Sequence, residues 1–222
     1  MTESALDLAQ HIELACLSPT LTIRDIDRLV EEASLRHFFG VCVPPFWVKR
    51  AKREIGSSHI ALVTVVGYPL GFNMTETKLD EIKRGIENGA DEVDVVMNIT
   101  SFKTGIPWTK VELAKCARLA HDHQKLITIT LETAYLSDEE VSKACKMCSD
   151  AGADFVKSST GYADGWATVE QIHQLRKGLP PDVGIKVTQE FTTIETSRRL
   201  IEAGADRLSI VSPTFAHITI QT

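Results

Sequence analysis

The chain has 222 residues, 43% apolar and 24% charged, with a formal net charge of −6. A pI near 5.7 and a mean hydropathy of −0.04 exclude a disordered or fibrous chain and suit one large α/β domain or two small ones. No run of basic residues interleaved with aromatics is present and no apolar run approaches membrane-spanning length, so neither nucleic acid nor membrane is an expected partner.

The N-terminal MTESALDLAQ lacks a basic n-region and an apolar h-region, which points to the cytoplasm. Strand-like runs then follow in order: IELAC (12–16), GVCV (40–43), ALVTVVG (61–67), EVDVVMN (92–98), LITITLE (126–132), DFVKSS (154–159), VGIKVT (183–188) and RLSIVS (207–212). Most read as continuous apolar runs, the pattern of parallel strands covered by helices. Between them lie helical spacings, with one face formed by Leu79, Ile82 and Ile86 and another by Val111, Ala114 and Ala117. Ser137-x-x-Glu140 and Thr168-x-x-Gln171 read as capping boxes and Thr192-x-x-Glu195 as a third.

Three joints repeat: Asn88-Gly89-Ala90-Asp91, Ala151-Gly152-Ala153-Asp154 and Ala203-Gly204-Ala205-Asp206. Each ends an amphipathic helix on a glycine, which reaches positive φ at little cost, and leads into a strand. With no linker or composition break, residues 1–222 read as one (β/α)8 barrel of parallel strands, its final helix short or absent. A doubly wound open sheet is the alternative.

The five cysteines, without a secretory signal, read as free thiols. Cys145 and Cys148 form a C-x-x-C, but they sit at helical spacing with Val141, Ala144 and Ala151 and have no second ligand pair. They read as core residues rather than a zinc or redox site, and no metal or cofactor is expected.

Barrel chemistry sits at the C-terminal ends of strands, which selects Glu13 or Cys16, Cys42, Tyr68, Asp94 or Asn98, Glu132, Lys157, Lys186 and Ser209 or Ser212. Two lysines and an aspartate inside an apolar barrel would suit amine catalysis. Desolvation, with Lys186 as a neighbouring cation, would lower the pKa of Lys157 and free its amine to attack a carbonyl; Asp94 would move protons. The structural alternative is an Asp94–Lys186 ion pair with Lys157 reaching the rim.

ADFVKSSTGY, GIKV, EVDVVMN, VCVPP and TVVGYPLG together resemble the deoxyribose-phosphate aldolases, from about Ile12 to Ile210. The resemblance implies a class I aldolase on a (β/α)8 barrel that reversibly splits 2-deoxyribose 5-phosphate into acetaldehyde and glyceraldehyde 3-phosphate. It implies Lys157 as the Schiff-base lysine, Lys186 as the residue lowering its pKa, Asp94 in proton transfer and Glu13 as a proton relay. Cys42 matches a cysteine near the family site, although a small buried hydrophobe is the simpler reading.

Departures cluster where the family holds phosphate. GIKVTQEFTT stands for G-I-K-A-S-G-G-I-R-T, SIVSPT for a loop of the G-T-S-x-G kind, and Trp166 for a glycine. At the N-terminal element, Ala15 stands for a threonine and Glu13 for an aspartate. Only Ser159-Thr160-Gly161 is intact, leaving Thr188, Thr192, Ser209 and Ser212 as replacement donors. Three readings follow: the phosphate-sugar aldolase; an aldolase of the same mechanism for a smaller or unphosphorylated aldehyde; and an inactive barrel with a binding role. The partner is a small aldehyde or sugar phosphate. Trp47, Phe38 and Phe39 suit core or subunit contact alike, so a homo-oligomer is admitted but not required.

Overall fold

A computed structural model describes residues 8–190 and 193–211. Eight parallel strands close into a barrel: β1 Ile12–Ala15, β2 Gly40–Val43, β3 Ala61–Val66, β4 Glu92–Val96, β5 Leu126–Thr130, β6 Phe155–Lys157, β7 Gly184–Gln189 and β8 Arg207–Val211. Outside them pack α1 Ile23–Leu35, α2 Val48–Ile55, α3 Thr75–Glu87, the short α4 Ile99–Lys103, α5 Trp108–Asp122, α6 Asp138–Ala151, α7 Val169–Gly178 and α8 Ile194–Glu202. The expected final helix lies outside the described residues. Among those described, no helix is long and apolar enough to cross a membrane.

The three repeated joints serve one purpose. Gly89, Gly152 and Gly204 all hold positive φ (108°, 89° and 111°). The aspartate that follows turns back onto the preceding strand: Asp91 accepts from the Leu62 N–H (3.1 Å), Asp154 from Ile127 (2.8 Å) and Asp206 from Ile185 (2.7 Å). The backbone N–H of each aspartate in turn donates to the carbonyl of that same residue. This reciprocal clasp fixes the β3–β4, β5–β6 and β7–β8 registers at the N-terminal end of the barrel.

Inside and outside differ in chemistry. Outward positions such as Leu14, Val41, Leu62, Val93, Ile127, Val156, Ile185 and Leu208 form a core with the helices. The inward positions include a small apolar group of Ala15, Cys42, Val63 and Val65. The rest of the interior is largely polar: Glu13, Glu92, Asp94, Thr128, Thr130, Lys157, Lys186, Thr188 and Ser209 are all buried. The strands from β4 onward therefore alternate rather than running continuously apolar, because only one face meets helices.

On α5 the structure corrects the expected face. Leu113, Cys116, Ala117 and Ala120 are buried, while Val111 and Ala114 face solvent. Glu112 takes an inward place because the fully buried Lys78 meets it at 2.6 Å, and Lys78 also donates to the Val96 carbonyl at 2.9 Å. The Ser137 and Thr168 capping boxes are present. Helix α8 is capped by Thr193, which accepts from the Thr196 N–H; Thr192 lies outside the described residues. Cys145 and Cys148 are buried free thiols on the core side of α6.

Candidate active site

Strand pairing places the candidate side chains at one level of the barrel. Lys157 lies beside Lys186 across the β6–β7 ladder, Glu13 beside Ser209 across β1–β8, and Glu13 is two residues before Ala15, which pairs with Cys42. Asp94 enters from β4, three strands from β7 around the ring. Because side chains alternate along a strand, Glu92 and Asp94 point the same way, as do Arg207 and Ser209.

The lysines share one carboxylate. Lys157 Nζ donates to Asp94 Oδ2 at 2.9 Å and Lys186 Nζ to Asp94 Oδ1 at 3.1 Å. Lys186 also reaches Glu13 Oε2 and Glu92 Oε2, both at 3.1 Å, while Glu13 Oε1 lies 3.9 Å from Lys157. Behind them, Arg207 Nη1 meets both oxygens of Glu92 at 2.5 and 2.6 Å. Three cations thus face three carboxylates, which lets the set be buried. Cys42 Sγ lies within 4.8 Å of ligand atoms of Glu13 and Asp94, but both carboxylates are engaged by ammonium groups, so this trio is part of an ion-pair network.

Burial alone would raise the pKa of Asp94, yet the ammonium groups of Lys157 and Lys186 outweigh it and hold the carboxyl well below its usual range. For Lys157, burial acts downward and so does Lys186, as the sequence led one to expect. The carboxylates of Asp94 and Glu13 outweigh both, and the resting pKa ends above that of an ordinary lysine. Lys186 is raised in the same way, against burial, by Asp94, Glu13 and Glu92. The expected depression of the lysine is thus reversed in the resting site by the carboxylates facing it. Burial, reinforced by Glu13, pushes the Cys42 thiol up, which fits a small core residue.

At the mouth, several expected donors are spent. Glu132, in the left-handed region at φ 55°, accepts from both the backbone N–H and the hydroxyl of Thr160. Thr188 donates to the Ser159 carbonyl at 2.6 Å, and Ser209 donates to Glu13 at 3.0 Å. Of the expected replacement phosphate donors, Thr188 and Ser209 thus direct their hydroxyls to partners within the barrel. The Ser159 hydroxyl and Glu132 Oε1 are buried without a partner among the described residues. Gly161 holds φ 80° below Trp166. Tyr68 donates to the Thr160 carbonyl at 3.3 Å and packs edge-on to Tyr162; burial pushes its phenol up to about 12. Thr192 and Ser212 lie outside the described residues. Cys16 is in the outer core, and Asn98 caps α4 by accepting from the Ser101 N–H, so neither joins the site.

Sequence reasoning missed Glu92 and Arg207. Their signal is the period of two: each stands two residues before a selected position, Asp94 and Ser209, and so shares its face.

The sequence pattern of the DeoC/LacD family aldolases matches residues 3–205. The chain belongs to that aldolase family. This aldolase chain is 39% identical over 210 residues to the deoxyribose-phosphate aldolase of Thermococcus gammatolerans, and 40% identical over 208 residues to that of Brevibacillus brevis. Each match covers 93% of both chains. Among solved structures, the aldolase QR15 superposes with a TM-score of 0.86 at 31% identity, covering 96% of this chain and 92% of its own. The tetrameric deoxyribose phosphate aldolase of Aeropyrum pernix gives 0.84 at 28% identity, covering 94% and 87%.

Proposed function

We propose that the chain is a class I aldolase whose Lys157 forms a Schiff base and reversibly cleaves 2-deoxyribose 5-phosphate to acetaldehyde and glyceraldehyde 3-phosphate. The observation that carries this reading is the buried pair Lys157 and Lys186, side by side across a ladder and sharing Asp94 at 2.9 and 3.1 Å. The names of the relatives support the same substrate.

The chemistry starts from an ammonium, so Lys157 must first shed a proton; Asp94, in contact, is the nearest acceptor. The free amine adds to the aldehyde carbon, and loss of water gives an iminium. That iminium carries the same single positive charge at Nζ as the ammonium did. A network arranged to hold a cation there therefore favours it over the neutral amine. The iminium then draws the electrons of the C2–C3 bond as a base takes the C3 hydroxyl proton, and glyceraldehyde 3-phosphate leaves. Protonation of the enamine at C2 and hydrolysis of the renewed iminium release acetaldehyde and return Lys157. Asp94 and Glu13 are the carboxylates beside Nζ able to carry these protons.

A second reading is favoured by the spent donors at Thr160, Thr188 and Ser209: the same mechanism on an unphosphorylated aldehyde. The exposed apolar side chains Phe72, Met74 and Trp108 and the tetrameric Aeropyrum pernix relative are in keeping with a homo-oligomer.

Incubation with acetaldehyde and borohydride, followed by mass spectrometry, should place an adduct on Lys157 that is lost in Lys157→Leu. An unlabelled Lys157 would end the Schiff-base reading. Cleavage of deoxyribose 5-phosphate should then exceed that of deoxyribose by a factor of at least about 100, the discrimination a dedicated dianion site supplies; comparable rates would select the second reading.

A further inference from the structure

Glu92 and Arg207 have no part in the steps above, yet a continuous chain of contacts joins them to Lys157. The connection runs from Lys157 to Asp94, to Lys186, to Glu92 and to Arg207, with no separation above 3.1 Å. Arg207 is held in place by more than its carboxylate. Its guanidinium carbon lies 3.9 Å from the ring centre of Phe39 and 4.2 Å from that of Phe155. Gly184, paired with Phe155 across β6–β7, leaves room for that ring: a Cβ there would collide with it. A clamped arginine, a buried carboxylate 3% exposed and a fully buried lysine form a rigid line from the N-terminal side of the barrel to the reaction centre.

Charge balance gives the line its consequence. The charged or titratable groups around Lys157 are Glu13 from β1, Cys42 from β2, Glu92 and Asp94 from β4, Lys186 from β7 and Arg207 from β8. Tyr68 and Glu132 stand at the mouth. Strands β3 and β5 contribute only Val63, Val65, Thr128 and Thr130 to this level. With the three acids ionised, the three cations make the interior neutral, and release of a proton from Lys157 leaves it one negative charge in excess. Arginine keeps its charge at any working pH, so Arg207 is the fixed positive charge against which that release is made.

We propose that Arg207, acting through Glu92 and Lys186, is a positioning residue that sets the pH at which Lys157 becomes a free amine. Removing the charge of Arg207 adds net negative charge beside Lys186 and holds the proton on Lys157 more tightly. Removing the charge of Glu92 does the reverse. Opposite signs are what distinguish this role from a structural one, since damage to packing would move both variants the same way. The inference rests on Lys157 being the Schiff-base lysine.

The test is the pH dependence of borohydride-trapped acetaldehyde adduct on Lys157, measured for the unsubstituted protein, Arg207→Met, Arg207→Lys and Glu92→Gln, with thermal unfolding to check that each is folded. Arg207→Met should move the midpoint up by about one pH unit, roughly tenfold less free amine at a given pH below it. Glu92→Gln should move it down, and Arg207→Lys should restore the unsubstituted profile. Shifts of the same sign in Arg207→Met and Glu92→Gln, or folded variants with unmoved midpoints, would overturn the proposal. Should Arg207→Met not fold, Glu92→Gln decides: a midpoint that stays or rises overturns it. Absence of adduct in the unsubstituted protein would remove the Schiff-base reading itself, a result distinct from a normal adduct with unmoved midpoints.

Discussion

Asp94 is the residue on which both lysines converge, and its ionisation couples the site to stability. Its folded pKa is depressed, against the effect of burial, by Lys157 and Lys186. An acid with a depressed folded pKa contributes stability that is fully present above its unfolded value, about 4, and is lost as pH falls through the folded one. Part of the loss of stability below pH 4 should therefore belong to Asp94. Urea midpoints measured between pH 7 and pH 3 should fall less steeply in Asp94→Asn than in the unsubstituted protein. Equal slopes would show that the buried carboxylate is not what the lysines stabilise. At this scale the candidate groups are legible in the sequence, since lysines and acids on barrel strands are conspicuous. The sign of the lysine shift was not legible, because it depends on how many carboxylates face Nζ and at what distance.

Among the elements, the repeated Gly-Ala-Asp joints carry the most information. Read in sequence they are helix stops; in three dimensions each aspartate also receives the first N–H groups of a strand. Asp206→Ala removes a charged acceptor from the Ile185 N–H at 2.7 Å and should cost about 1.5–3 kcal/mol in urea unfolding, the range for hydrogen bonds to charged groups. Ser137→Ala, which removes only an exposed helix cap, should cost about 1 kcal/mol. An Asp206→Ala cost no greater than that of Ser137→Ala would mean the clasp contributes nothing to the β7–β8 register. The α5 face illustrates the opposite case. Its spacing suggested Val111 and Ala114, but a buried Lys78–Glu112 pair turned a charged position inward. Apolar periodicity cannot register a charge buried with its partner.

For the whole molecule, closure of eight strands leaves no free sheet edge, and each strand is needed by two neighbours. Trp47, Trp108 and Trp166 report on the β2–α2 joint, the start of α5 and the β6–α7 loop. Urea unfolding followed by tryptophan fluorescence and by far-ultraviolet circular dichroism should therefore coincide in one transition. Separate transitions would mean that one part of the barrel stands alone.

Local pattern along the chain is enough to specify the barrel and its unit order, since glycine stops, helical periodicity and strand runs act over a few residues each. It also singles out Lys157, Lys186, Asp94 and Glu13 as the candidates for the chemistry. Folding in three dimensions adds that Glu92 and Arg207 extend their network, that Glu132 occupies Thr160, and that the hydroxyls of Thr188 and Ser209 are engaged inside the barrel. Those outcomes depend on contacts between strands far apart in the chain, such as Arg207 with Glu92 across 115 positions, where electrostatics and register act together and local pattern carries no record of either.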